Sequence, residues 1–238
     1  MEPAQERFAM RIVELDLIRD LPLFHEVAEQ TFDNLTEAAL LQRFPARVEL
    51  IREGTLPDFL HIVVDGSVEL FAQYNGRDTT IDILGPLATF ILAAVVRDEP
   101  YLKSARTLTE ARILMIPAES VRNIFSRDAG FARAVVSELA TRYRSIVRAL
   151  KNEKQRTSCE RLANWILKAD EQQGGTGSVT LNYDKRTLAS LLGMTPENLS
   201  RSFSNLSTHG IRRGIRGVVI EDRSALVKYS CPTPLIDG

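Results

Sequence analysis

Glu197 and Arg201 stand four residues apart in the run Thr195-Pro196-Glu197-Asn198-Leu199-Ser200-Arg201, and this pair of residue types has a natural use on double-stranded DNA. A guanidinium fork bonds guanine O6 and N7 together, and a carboxylate accepts from the amino group of cytosine. One helical turn apart, the two side chains can address neighbouring base pairs. Thr195 and Ser200 bring hydroxyls to the same stretch. The competing reading is an i,i+4 salt bridge on a solvated helix, and the flanking residues favour the reading head.

Those flanks supply the positioning elements. Asp184 can cap a first helix carrying Leu188, Ala189 and Leu192, Gly193 offers a sharp turn, and Thr195-Pro196 caps and opens a second helix. The small Ala189 lets the helices approach, and Leu199 fills the space between them. This predicts a helix-turn-helix, whose second helix enters the major groove with its N-terminal turn. Beyond Gly210, residues Ile211, Ile215, Val218, Val219 and Ile220 around Gly214 and Gly217 read as a short hairpin closed by Asp222 to Leu226. That hairpin would be a wing, with Arg212, Arg213 and Arg216 as phosphate contacts that position the protein without reading sequence.

Other chemistries find little material. No His-x-His pair occurs among the three histidines, and His209 lies far from His25 and His61, which argues against a cupin-like metal-dependent enzyme. Cys159 and Cys231 form neither a Cys-x-x-Cys pair nor a four-thiolate set, so an iron–sulfur cluster and a disulfide framework are not expected. The apolar runs are too short for a membrane span, and Glu2, Glu6, Arg7, Arg11 and Glu14 interrupt the place of a signal peptide. A cytoplasmic protein without a membrane partner is expected. The formal net charge of −1 hides an asymmetry: residues up to Leu150 carry 17 basic and 22 acidic side chains, and the rest carry 13 and 9. The basic excess falls on the segment that would bind DNA.

Upstream, residues 11–43 read as short helices with a turn at Leu21-Pro22. From Ala46 to Ile116 short β-type runs are punctuated by Gly54, Gly66, Gly76 and Gly85, as in a compact sandwich or barrel. Leu60, Ile62, Val64, Val68 and Leu70 share one parity and His61, Asp65, Ser67 and Glu69 the other, which predicts one apolar and one polar strand face. Asn75-Gly76 has the chemistry of a tight hairpin turn. After Pro117 the pattern turns helical to about Asn152, and Val136, Leu139, Tyr143, Ile146 and Leu150 recur at intervals of 3, 4, 3 and 4. Such a stripe suits self-association more than packing on its own domain. The polar run Lys151 to Arg156 suits a hinge, and Thr157 with Glu160 forms a capping box that opens the next domain. The fold class is therefore α+β: a β-roll (jelly-roll) sensor with N-terminal helices over 1–118, a dimerisation helix over 119–152, and a winged helix-turn-helix over 153–238.

With these residues in place, the chain resembles the cyclic-AMP receptor protein/fumarate-nitrate regulator (CRP/FNR) superfamily over roughly residues 20 to 228. The matching features are Leu21-Pro22-Leu23-Phe24, the glycines 54, 66, 76 and 85, the long helix, and Thr-Pro-Glu-Asn-Leu-Ser-Arg. The resemblance implies a cyclic-nucleotide-binding-like roll, a homodimer on an inverted repeat, and action through RNA polymerase. Glu197, Ser200 and Arg201 match the fumarate-nitrate branch, whose half-sites resemble TTGA-type sequences. In the cyclic-AMP branch a Gly-Glu pair and an Arg-Ser pair hold the nucleotide; here those places read Thr89-Phe90 and Lys103-Ser104. Cyclic AMP is thus not expected, and another small effector is, with Phe90, Ile91, Lys103 and Ser104 as its candidate pocket. The apolar run Leu87 to Val96 could line that pocket or pack on the roll, and packing is the expected role. Haem stays open as an alternative effector with His25 or His61 as axial ligand, although His61 reads as a surface histidine. A nucleotide-binding subunit without DNA affinity is the remaining rival, and it leaves the helix-turn-helix unexplained.

Overall fold

The structure, a computed structural model, describes residues 16, 18–214 and 217–238. Arg216 and Ile215, both expected in the wing, lie outside the described residues. The chain divides into two compact units, Met1–Arg142 and Tyr143–Gly238, and the division falls inside one long helix.

In the first unit, helix α1 (Glu29–Glu37) precedes an eight-stranded roll. One sheet has the order β1 (Leu40–Phe44), β8 (Ala111–Pro117), β3 (Phe59–Asp65), β6 (Thr89–Phe90). The other has β2 (Glu49–Ile51), β7 (Ser104–Thr107), β4 (Val68–Tyr74), β5 (Arg77–Leu84). The first strand begins at Leu40, inside the stretch expected to be helical, because β8 supplies a ladder for all five of its residues. Asn75 and Gly76 both take positive φ between paired Tyr74 and Arg77, as the expected hairpin requires. Gly66 is held by contact as well as by φ: a Cβ there would stand 2.3 Å from the Glu110 carbonyl oxygen.

β3 is covered on both faces. Leu60, Ile62 and Val64 pack with Phe24, Leu35, Val121 and Phe131, while Val63 packs inside the roll with Ile113, Ala111 and Phe90. The run 87–96 packs as expected: after β6, helix α2 (Leu92–Arg97) buries Leu92 and Val95 in the helical core. Helix α3 (Ala118–Arg127) follows, and Asp128 interrupts the helical run before α4 (Ala129–Gln155). Phe131, Ala134 and Val135 anchor the start of α4 in the same core.

In the second unit, Thr157 and Glu160 close the capping box that opens α5 (Ser158–Gln172). α6 (Lys185–Leu191) and α7 (Pro196–Leu206) follow, then β10 (Ile211–Arg213), β11 (Gly217–Ile220) and α8 (Arg223–Ser230). A strand absent from the sequence reading, β9 (Ser178–Thr180), pairs with β11 to make the wing three-stranded. Leu162, Ile166, Leu188, Leu199, Phe203 and Leu226 form the core that holds these pieces together.

Candidate nucleic-acid interface

The reading helix is set by short-range chemistry. Asp184 accepts from the Thr187 amide at 2.8 Å to start α6, and Thr195 accepts from the Asn198 amide at 3.2 Å to start α7, with Pro196 in the first turn. Between them Gly193 takes φ +61°, and the Met194 amide reaches back to the Ala189 carbonyl at 2.9 Å. Ala189 and Leu199 are fully buried where the two helices meet. The helix-turn-helix therefore stands where expected.

Thr195, Glu197 and Arg201 are exposed, and Ser200 is half-buried. The Glu197 carboxyl is held below its usual range, first by its own backbone N–H, then by the Thr195 hydroxyl, and further by the charges of Lys185 and Arg201. Glu197 stays an acceptor at neutral pH. Ser200 is already engaged: its hydroxyl donates to the Pro196 carbonyl at 2.8 Å and receives the Lys185 ammonium. Lys185 is a cation beside the reading helix that the sequence reading did not single out. Its signal was available, since Lys185-Arg186 puts two cations at a helix N-terminus, against the macrodipole.

On the wing, Arg213 is exposed with its guanidinium over the Phe203 ring at 5.1 Å, while Arg212 is paired with Glu221. The three expected phosphate contacts are thus unequal: Arg213 is exposed over Phe203, Arg212 shares its charge with Glu221, and Arg216 is outside the described residues. A cleft of about 460 Å³ separates α6 from the wing, lined by Tyr183, Lys185, Leu188, Phe203 and Arg213 among others. Two cations on its rim face an apolar floor. Burial raises the Tyr183 hydroxyl to about 12, so it remains a neutral donor there.

Residues 160–229 match the Crp-like helix-turn-helix domain, and residues 41–128 match the cyclic nucleotide-binding domain. The chain belongs to the CRP/FNR superfamily. The CRP-like cAMP-activated global transcriptional regulator of Mycobacterium tuberculosis (strain ATCC 25618 / H37Rv) is 24% identical over 212 residues, covering 87% of this chain and 95% of the relative. A regulatory protein from Silicibacter pomeroyi DSS-3, provisionally described as cAMP-binding, is 28% identical with a TM-score of 0.62, covering 91% of this chain and 98% of that one. FixK2 from Bradyrhizobium japonicum, 21% identical, shares the fold at a TM-score of 0.72, over 82% of this chain and 98% of its own. This CRP/FNR chain is a DNA-binding transcription regulator. Among the described residues no helix is long and apolar enough to cross a membrane, and no group of three or more His, Cys, Asp or Glu could hold a metal ion.

Three features of the sensor half bear on a ligand site. First, the left-handed residue on the strand-to-helix turn is Ile91 at φ +64°, the conformation that suits glycine. Thr89 and Phe90 precede it on β6, both buried, and neither brings a carboxylate. Second, His61 is not a surface residue: it is 3% exposed, stacks on Phe90 at 5.2 Å, and leaves Nδ1 without a partner. Desolvation holds its pKa down to about 4. The alternation argument fails because β3 is covered on both faces. His25, by contrast, is exposed. Third, the Arg106 guanidinium is engaged within its own sheet, bonded to Glu69 at 2.6 Å and Asp78 at 2.7 Å and stacked on Phe71.

Lys103 is half-buried, and desolvation lowers its pKa while Asp82 opposes and Arg142 reinforces that shift. Arg142, on α4, donates to the Thr89 carbonyl at 3.1 Å and pairs with Glu138. The Ser104 hydroxyl is buried and accepts from the Glu53 amide at 3.0 Å. Phe90 and Ile91 adjoin Thr89, whose carbonyl is held by Arg142. That contact was not anticipated.

Of the expected dimer stripe, Val136, Tyr143, Ile146 and Leu150 are 53–68% exposed, whereas Leu139 packs on its own core. Leu139 shares the angular face of the stripe but lies before Arg142, where the first unit's core still reaches the helix.

Proposed function

We propose that the chain binds an inverted-repeat DNA site as a homodimer, reads it with Glu197 and Arg201, and acts on transcription through RNA polymerase. The observation that carries this reading is the exposed Glu197/Arg201 pair at the start of a capped helix, flanked by the cations Lys185 and Arg213. Bases are met by the pair, phosphates by the flanking cations. The exposed row on α4 supports the homodimer, because apolar side chains repeated on one helix face need a cover. The division into a sensor over 1–118, a dimerisation region over 119–152 and a reading head over 153–238 belongs to the same proposal. Selection from a random duplex library tests it: an enriched inverted repeat with TTGA-type half-sites one helical turn apart is expected. Enrichment of no symmetric site would refute it.

The effector in this reading is a small molecule other than cyclic AMP, despite the cyclic AMP in the names of relatives. A ribose facing Phe90, with a phosphate on Lys103 in place of an arginine fork, would leave polar groups unpaired at about 1–3 kcal/mol each. Calorimetry with cyclic AMP should register no binding at micromolar concentration. Binding accompanied by raised DNA affinity would overturn this part.

A haem-dependent regulator is the second reading, and His61 carries it. Its ring is buried with Nδ1 free to act as a ligand atom, which His25 cannot offer from the surface. An absorbance spectrum of protein purified from its source separates the two readings: a Soret band lost in His61→Ala supports haem, and a flat spectrum excludes it.

A further inference from the structure

The last turns of α4 are pinned to the reading head by two arginines, all within the second unit. Arg161, at 9% exposure, is a buried guanidinium whose acceptors are main-chain carbonyls. It donates to Leu192 at 2.9 Å and Gly193 at 3.2 Å on one side, and to Arg156 at 2.8 Å and Glu153 at 3.4 Å on the other. The final carbonyls of a helix lack partners within it and carry its negative dipole end, so a guanidinium suits them. One planar group thereby joins the end of α4 to the turn that launches α7.

Arg156 makes the second link. Its side chain is 7% exposed and forks onto Asp237 with two bonds of 2.6 Å, adding Asn152 at 3.1 Å. Asp237 is held in turn by the Thr233 amide at 2.8 Å, and Lys151 reaches the Leu235 carbonyl at 3.4 Å. The segment 233–237 is therefore strapped across the end of α4. The run Lys151 to Arg156, polar enough in sequence to serve as a hinge, is helical to Gln155 and fixed from two sides.

We propose that Arg156, Arg161 and Asp237 are positioning residues for inverted-repeat recognition: they make the head rigid with the end of α4, so that the dimer fixes the spacing of its two reading helices. The inference rests on the homodimer and inverted-repeat reading. A flexible joint would let each head bind alone and forfeit the gain from simultaneous engagement, while a rigid one converts the second contact into an intramolecular event.

The test uses the full chain and two duplexes from the selection, one with a single half-site and one with the complete repeat. Arg156→Gln and Asp237→Asn should each keep half-site affinity within about twofold while losing at least about tenfold on the repeat. Both variants should also accept repeats with altered spacing that the parent rejects, and should sediment as the parent does. The charge swap Arg156→Asp with Asp237→Arg should recover repeat affinity and spacing preference. Unchanged repeat affinity and spacing preference would overturn the proposal. Equal losses on both duplexes would overturn it too, because they would mean that the clamp only stabilises the head. A parent protein that binds the repeat no better than the half-site would refute the inverted-repeat reading itself, and the positioning role with it.

Discussion

At the scale of single residues, side-chain contacts divide the proposed readers from the proposed phosphate holder. Arg201 is exposed and acts on Glu197 as a charge, so both can turn to bases, whereas Arg213 stacks on Phe203 beside a cleft that suits backbone. Arg201→Ala should therefore lose the ~1–3 kcal/mol by which the preferred half-site is favoured over one lacking its guanine. Arg213→Ala should weaken both DNAs alike and flatten the salt dependence. Titrations at two salt concentrations check this, and intact discrimination in Arg201→Ala would remove α7 from the role of reader. His61 is the contrasting residue, kept neutral inside the roll with a pKa near 4 against an ordinary 6.5. An unfolded chain takes up that proton first, so the stability present above pH 6.5 declines as pH falls toward 4, by up to ~3 kcal/mol. Denaturant titrations at pH 7 and pH 5 should show the decline in the parent and a smaller one in His61→Phe.

At the scale of elements, the wing depends on a close backbone approach. A Cβ at Gly217 would stand 2.0 Å from the Val179 carbonyl oxygen, in the pairing of β11 with β9. Overpacking of this kind costs roughly 1–3 kcal/mol, and no side-chain rotation relieves it because the clash is with main chain. Gly217→Ala should thus raise amide exchange along β9 and β11 and weaken phosphate-dependent binding, leaving the caps of α6 and α7 intact. Unchanged exchange there would mean that the strand pairing tolerates a methyl group. Gly193 is less crowded, with the Glu153 carboxylate 3.6 Å from its virtual Cβ, and glycine is needed there for φ alone.

At the scale of the whole molecule, α4 carries the proposed assembly. Its early residues, Phe131, Ala134 and Val135, are buried, while Tyr143, Ile146 and Leu150 face outward beyond the point where the first unit ends. Ile146→Asp with Leu150→Asp would set charges into the proposed seam, where unpaired carboxylates are strongly unfavourable. Analytical ultracentrifugation should find monomers. A persistent dimer would place the seam elsewhere.

What the sequence determined alone is the chemistry that acts within a few residues. The caps at Asp184, Thr195 and Thr157, the turns at Asn75-Gly76 and Gly193, and the packing pair Ala189 and Leu199 were legible because each partner lies within one or two turns of chain. The tertiary structure decided whatever depends on which distant segment arrives. Leu40 became strand because β8 came alongside, Val179 completed the wing across some forty residues of chain, and His61 went inside because helices covered the other face of β3. Lys185 met Ser200, Arg142 met Thr89, and Arg156 met Asp237 by the same route. Side-chain periodicity specifies a face but not its cover, and burial, pairing and pKa follow from the cover.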